Sequence, residues 1–338
     1  MRIALDVMGG DFAPKNSMEG AVLALRELPQ LEKLFLVGQT EAIQAELDRL
    51  QYQDPRIVIR HSTEVVSMSE SAARAIRQKK DSSISRSIDL VKSGDAQAVV
   101  SAGHTGAAVA ASVLKLRPLA GVSRPAVACI LPTETKDFVL IDAGANPNSD
   151  PSELFQFAVM GNVYSQLVLG TTNPVIGLMS IGGEDTTGNE TTKEAFKLIK
   201  ASRLNFRGNI EGFDLFEDPA DVVVCDGFTG NVVLKTAEAA AQAIFGSLRN
   251  QIYKSFWRKL GAKLAEGAFR TIRARMDPDE YGGSQLLGVN GICIIAHGAS
   301  SPLAIKNAIG AAANAIKYEV NPRIARDITE HAPVKTAS

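Results

Sequence analysis

Residues 1–14 read MRIALDVMGGDFAP. Ile3–Val7 is an apolar run too short for a helix, and Gly9-Gly10 closes it, so it reads as a strand ending in a tight corner. Asp6 and Asp11 flank the double glycine. The same unit recurs along the chain: Leu34–Val37, Ile57–Ile59, Ala98–Ser101, Ala126–Leu131, Phe138–Ile141, Val175–Leu178, Val222–Cys225 and Val289–Ile295 read as further strands. Their near-continuous apolarity implies burial on both faces. Between them lie helical patterns: Ser152 to about Leu169, Lys193–Lys200, Thr229–Phe245 and Ser301–Tyr318. The expected class is α/β, a doubly wound, mostly parallel sheet between helices.

With 338 residues and 45% apolar composition the chain can bury a large core. No internal repeat or linker divides it, and one catalytic unit over 1–338 is expected. Lys and Arg number 36 against 37 Asp and Glu, so no global field favours nucleic acid. Neither a leader nor an apolar stretch of membrane-spanning length is present, which predicts a cytoplasmic protein. Cys129, Cys225 and Cys293 lie far apart in strand-like runs, and buried free thiols are expected.

Polar residues gather where strands end. Gly9-Gly10-Asp11, Ser101 to Gly106, Asp142 to Asn146, Asp226 to Asn231 and His297-Gly298 each follow a predicted strand. In a parallel sheet these corners converge at the carboxyl ends of the strands, where helix N-termini attract anions. The usual signatures are missing: no GxGxxG follows the first strand, and there is no Walker A loop, GxSxG elbow, HExxH or paired Cys/His spacing. The corners offer glycine, hydroxyl and amide donors instead, suited to cradling phosphate. Lys235, four residues after Asn231, lies on the same helix face and either adds a cation or snorkels to solvent.

Taken together, Asp6-Val-Met-Gly-Gly-Asp11, Ser101-Ala-Gly-His-Thr-Gly-Ala107, Arg124-Pro-Ala126, Asp142-Ala-Gly-Ala-Asn146, Cys225-Asp-Gly-Phe-Thr-Gly-Asn-Val232 with Lys235, and Ala296-His-Gly298 closely resemble the bacterial phosphate acyltransferases (PlsX), in the family's order and over nearly the whole length. The resemblance implies transfer of a fatty acyl group from acyl carrier protein to inorganic phosphate, giving acyl phosphate for phospholipid synthesis. It also implies the fold of isocitrate and isopropylmalate dehydrogenases, shared with phosphotransacetylases, in a homodimer without cofactor or metal. A downstream membrane acyltransferase is a further candidate partner.

Phosphate can attack a thioester directly, so donors matter more than a nucleophilic side chain. On this reading His297, Lys235 and Asn231 are the catalytic candidates. Gly9, Gly10, Asp11, Ser101, Gly103, His104, Thr105, Gly106, Asp142, Asn146, Asp226, Gly227, Thr229 and Gly230 are the substrate-binding candidates. Because carboxylates repel phosphate, Asp6 and Asp11 are expected to accept loop N–H groups or to pair with Lys15. The chain departs from the family at Gly183 and Thr187, where glutamate and lysine are usual, and at Ile295, where lysine is common. His104, in place of the usual asparagine, replaces some of that charge if protonated.

Residues 244–276 carry eight Lys or Arg against Glu266 alone, a local charge of +7. Phe245, Leu248, Ile252, Phe256, Leu260, Leu264, Ala268 and Ile272 form one helical stripe, with Gly261 and Gly267 as possible breaks. Such a helix packs in a core or dimer, or lies at a membrane surface. The resemblance implies a projecting helical hairpin that builds the dimer, with Trp257, Arg258, Lys259 and Lys263 facing anionic lipid or the acidic carrier protein. Two other readings compete: a fold-related NAD- and metal-dependent decarboxylating dehydrogenase using Asp6, Asp11, Asp142 and Asp226, and a non-catalytic membrane-surface scaffold.

Overall fold

The strands are β1 Arg2–Asp6, β2 Lys33–Gly38, β3 Ile57–His61, β4 Ala98–Ser101, β5 Ala126–Pro132, β6 Asp137–Ile141, β7 Ile176–Met179, β8 Phe206–Ile210, β9 Val222–Val224, β10 Ser284–Leu287 and β11 Ile292–Ile295. The helices are α1 Lys15–Glu27, α2 Thr40–Leu50, α3 Ala72–Gln78, α4 Ser83–Lys92, α5 Thr105–Lys115, α6 Pro151–Tyr164, α7 Glu190–Lys200, α8 Gly227–Tyr253, α9 Phe256–Leu264, α10 Glu266–Met276, α11 Pro302–Lys317 and α12 Val320–Glu330. The computed structural model describes residues 1–67, 69–217 and 220–331; residues 332–338 of the expected 1–338 unit lie outside it.

Among the described residues the strands form one sheet in the order β3-β2-β1-β4-β11-β10-β5-β6-β9-β7-β8. Helices cover both faces, because successive side chains of each strand point to opposite sides. Ile3 and Leu5 belong to the buried layer that also holds Met18 of α1, Phe157 of α6 and Ile305 of α11. Ala4 faces the other layer, with Ile76 of α3, Ile88 of α4 and Ala107 of α5. Local signals set the helix starts. Asp150 and Glu153 form a capping box on α6 with Pro151 in its first turn, and Ser301 caps α11 ahead of Pro302.

The doubly wound class holds, with one consequence the apolar runs did not carry. β1, β2, β3, β4 and β11 are parallel to one another, and β6, β7, β8 and β9 likewise. Three antiparallel pairings, β11 with β10, β10 with β5 and β5 with β6, separate the two blocks. Three reversals are an odd number, so the blocks run in opposite directions. Carboxyl ends of β1, β4 and β11 lie at one end of the sheet, the upper end below. Those of β6, β7 and β9 lie at the lower end.

The two antiparallel pairings of β10 cancel, so the β5–β6 pair supplies the net reversal; β10 itself was not expected, and its sequence, Ser-Gln-Leu-Leu, lacks β-branched residues. Strand β8, Phe-Arg-Gly-Asn-Ile, was not expected either, because Arg207, Gly208 and Asn209 break its apolar run. The run Val289–Ile295 is a strand only over Ile292–Ile295, because Gly291 has φ +156° and Val289 bridges Pro118 instead.

The basic segment is largely exposed. α8 spans 27 residues, about 40 Å, yet its buried residues are Gly227 and Gly230 in the first turn. α9 and α10 bury none. The breaks fall at Lys254-Ser255 and Ala265, while Gly261 and Gly267 lie within helices. No helix among the described residues is long and apolar enough to cross a membrane.

Candidate functional site

The five corners form two groups. At the upper end, the corners after β1, β4 and β11 interlock. A Cβ on Gly9 would sit 2.7 Å from the Gly103 nitrogen, so only glycine permits that approach. Gly10 has φ +106° and lies against the Gly298 carbonyl, which accepts the Asp11 N–H at 2.8 Å. Beneath, the Ser101 hydroxyl donates to Asp6 Oδ2 at 2.8 Å and accepts the Gly103 N–H at 3.1 Å. Asp11 is exposed, and among the described residues it makes no ion pair with Lys15.

His104 caps α5: its Nδ1 accepts the Ala107 N–H at 3.3 Å. His297, exposed at the mouth, accepts the Ala299 N–H on Nδ1 at 3.1 Å. With Nδ1 so engaged, Nε2 is the ring nitrogen each imidazole has left for a ligand. The first N–H groups of α5, at Thr105 and Gly106, have no intrahelical acceptor and no other partner among the described residues. Together these are the donors an anion needs.

At the lower end, the corners after β6 and β9 use up their polar groups on each other. Asp142 is fully buried and accepts five donors: Val127, Gly144 and Ala145 N–H on Oδ1, Asn146 N–H and its side-chain amide on Oδ2. Asn146 accepts the Gly227 N–H on its carbonyl and donates to the Pro125 carbonyl. Asp226 caps α8 through the Thr229 N–H, and its carbonyl accepts from Gly230. A Cβ on Gly230 would lie 1.9 Å from the Asp142 carbonyl. Asp142, Asn146, Asp226, Gly227, Thr229 and Gly230 thus lock two loops together and leave little for a ligand. This corrects the expectation that all five corners converge on one ligand, and it splits Asp6 and Asp11 from Asp142 and Asp226.

Asn231 is exposed beside Gly144, and Lys235 forms an ion pair with Glu238 at 2.8 Å. Within one chain neither reaches His297. The departures at Gly183 and Thr187 fall in the lower-end loop after β7, where Thr187 bonds Glu184. Ile295 is a buried core residue of β11. These differences leave the upper donors intact.

Burial raises the Asp6 carboxyl above its ordinary range, against the pull of hydrogen bonds from Ser83, Ser101, Met8 and Gly9. Asp142 is raised by burial too, opposed by its donors. Burial pushes the Cys129 thiol up to about 12 and Cys293 to about 11, and all three cysteines are buried and free, as expected. The sequence reading missed Ser83 against Asp6, Glu238 against Lys235, and Glu153, whose Oε1 holds Arg124 Nε at 2.9 Å. Glu153 carried a readable sign, the spacing from Asp150, and so did Glu238, three residues after Lys235 on a predicted helix; Ser83 carried none.

A family model described as "Fatty acid synthesis protein" matches residues 1–323. The phosphate acyltransferase of Akkermansia muciniphila is 48% identical over 334 residues, covering 97% of this chain and 96% of that protein. That of Geobacter sulfurreducens is 46% identical, covering 96% and 93%. Among solved structures, a phosphotransacetylase from Streptococcus pyogenes superposes with a TM-score of 0.60 at 20% identity, over 94% of each chain. The EutD phosphotransacetylase from Staphylococcus aureus gives 0.56 at 15%, over 96% and 93%. The two structural likenesses speak for the fold.

Proposed function

Because the chain belongs to the phosphate acyltransferase family, we infer that it transfers a fatty acyl group from acyl carrier protein to inorganic phosphate, with the chemistry at the upper end of the sheet. The observation that carries this placement is the contrast between the two helix starts. Among the described residues α5 opens with N–H groups free at Thr105 and Gly106, whereas α8 leaves only that of Phe228, its Gly227 and Thr229 N–H groups being spent on Asn146 and Asp226.

Phosphate seated on the α5 start, with Gly9, Gly10 and Gly103 forming the wall, attacks the thioester carbonyl carbon. A carbon–oxygen bond forms, the carbon–sulfur bond breaks, and the thiolate leaves on the carrier protein. The Nε2–H of His297 donates to the developing oxyanion, or to the departing sulfur, and His104 orients phosphate. Phosphate itself is the nucleophile, so no side-chain nucleophile is needed. Incubating the protein with acyl carrier protein thioester and phosphate, then trapping acyl phosphate as a hydroxamate, tests the reading; no hydroxamate would sink it.

A second reading concerns the arm formed by α8, α9 and α10. Phe256, Trp257 and Leu264 are 71%, 75% and 85% exposed among cations that include Arg258, Lys259 and Lys263. A second copy packed along the stripe of Phe245, Leu248 and Ile252 would cover it in a homodimer, and the tip would rest on anionic lipid. Cytoplasmic location with peripheral membrane contact follows, as does delivery of acyl phosphate to a membrane acyltransferase. The finer fold assignment is the one isocitrate and isopropylmalate dehydrogenases share. Molar mass in solution tests the dimer, and cosedimentation with anionic vesicles tests the tip.

A further inference from the structure

We propose that acyl carrier protein docks in the groove between α3, α4 and α5 rather than on the arm, a proposal that rests on the acyl-transfer reading above. Arg77, Lys80, Arg86 and Lys115 line this groove with Asp81 and Asp89 over an apolar floor of Ile76 and Leu114. Both acids are matched, Asp81 with Arg86 at 2.5 Å and Asp89 with Lys115 at 2.8 Å. Arg77 and Lys80 remain exposed and, among the described residues, without an ion pair. A surplus of two positive charges therefore surrounds a floor where Leu114 is half exposed, in a chain of net charge −1. That combination complements an acidic protein surface with an apolar centre.

The position is as telling as the charge. α5 begins at the proposed phosphate seat and ends at Leu114 and Lys115, about 15 Å away at 1.5 Å per residue. The two ends share a wall: a Cβ on Gly106 would lie 3.1 Å from the Ala72 Cβ at the start of α3. A substrate carried on a long phosphopantetheine arm requires this arrangement, since its protein body must dock one arm's length from the carbonyl. The helical arm starts at the lower end of the sheet, and its mixture of aromatic and cationic side chains suits lipid.

The test pairs the double variant Arg77→Glu/Lys80→Glu with Arg258→Glu/Lys259→Glu/Lys263→Glu, each assayed with acyl carrier protein thioester and with the small thioester acyl-pantetheine. The groove variant is expected to raise the KM for carrier protein at least tenfold and to keep kcat/KM for acyl-pantetheine within about twofold. Added salt should raise the KM of the unaltered protein and leave that of the variant nearly flat. The arm variant should keep its carrier-protein KM. An unchanged KM in the groove variant overturns the proposal, as does a rise in the arm variant alone. Loss of vesicle binding by the groove variant, with its carrier KM intact, would overturn it in favour of a lipid surface. Failure of the unaltered protein to make acyl phosphate from either thioester would instead strike the acyl-transfer reading itself.

Discussion

The Asp6 carboxylate accepts the Ser101 hydroxyl at 2.8 Å, joining the carboxyl ends of β1 and β4 beneath the glycine corners. Ser101 in turn accepts the Gly103 N–H, so one buried acid sets the path of the loop that leads into α5. Burial lifts the Asp6 carboxyl above its unfolded value of 3.8. A raised value contributes stability that is fully present below the unfolded pKa and is lost as pH rises through the folded one. Asp6→Asn removes that titration and keeps an acceptor for Ser101. Its stability relative to the unaltered protein should therefore improve as pH rises above about 4 in urea unfolding. A difference independent of pH would mean that Asp6 titrates as in the unfolded chain.

Asp54 shows the opposite sign. Its carboxylate accepts Arg56 Nε at 2.9 Å, Arg56 Nη2 at 2.6 Å and the Tyr52 hydroxyl at 3.1 Å. The Arg56 bonds hold it down to about 2. A depressed value contributes stability above the unfolded 3.8 that disappears as pH falls through about 2. Asp54→Asn should cost up to about 2 kcal/mol at neutral pH and progressively less as pH falls through about 2. Equal cost at neutral and acid pH would assign the effect to packing.

Two glycines give a steric contrast. A methyl at Gly230 would meet the Asp142 carbonyl at 1.9 Å, whereas at Gly246 it would meet nothing within 4 Å. Gly230→Ala must part the two lower loops and should cost about 3 kcal/mol or prevent folding. Gly246→Ala sits mid-helix and should stabilise by about 0.5–1 kcal/mol. Thermal unfolding of the pair decides it, and equal effects would mean that the loops are not locked.

How much of this was legible beforehand follows from which signals are local. Ile3–Val7 and Ala98–Ser101 declared themselves by continuous apolarity, and the glycine corners by composition. Direction within the sheet is not local: Ser284–Leu287 looks like loop, yet it is the strand that joins β11 to β5, and the antiparallel β5–β6 pair beyond it turns β6, β7, β8 and β9 against β1. Convergence of all five corners therefore could not be read from the corners themselves. Whether a donor is free is equally nonlocal. Gly227 and Gly106 look alike in sequence, and only the Asn146 carbonyl, 81 positions earlier, separates them.

That separation yields the sharpest functional prediction, which concerns His297 and Lys235. His297 is exposed among the free donors, with Nδ1 fixed by the Ala299 N–H and Nε2 facing outward. Lys235 lies about two turns into α8, at the other end of the strands, and its ammonium is engaged by Glu238. Removing a positioned proton donor typically costs about 100-fold or more in rate. Removing an exposed ion-pair partner costs little. His297→Ala should therefore lower kcat for acyl phosphate formation by about 100-fold with little change in unfolding midpoint. Lys235→Ala should stay within about tenfold of the unaltered enzyme. His297→Gln, which retains an N–H donor but cannot exchange protons, should recover part of the rate if the residue binds the oxyanion, and none if it protonates the departing thiolate. A Lys235→Ala loss as deep as that of His297→Ala would move the chemistry to the lower end, and the difference between the α5 and α8 starts would then lose its meaning for catalysis.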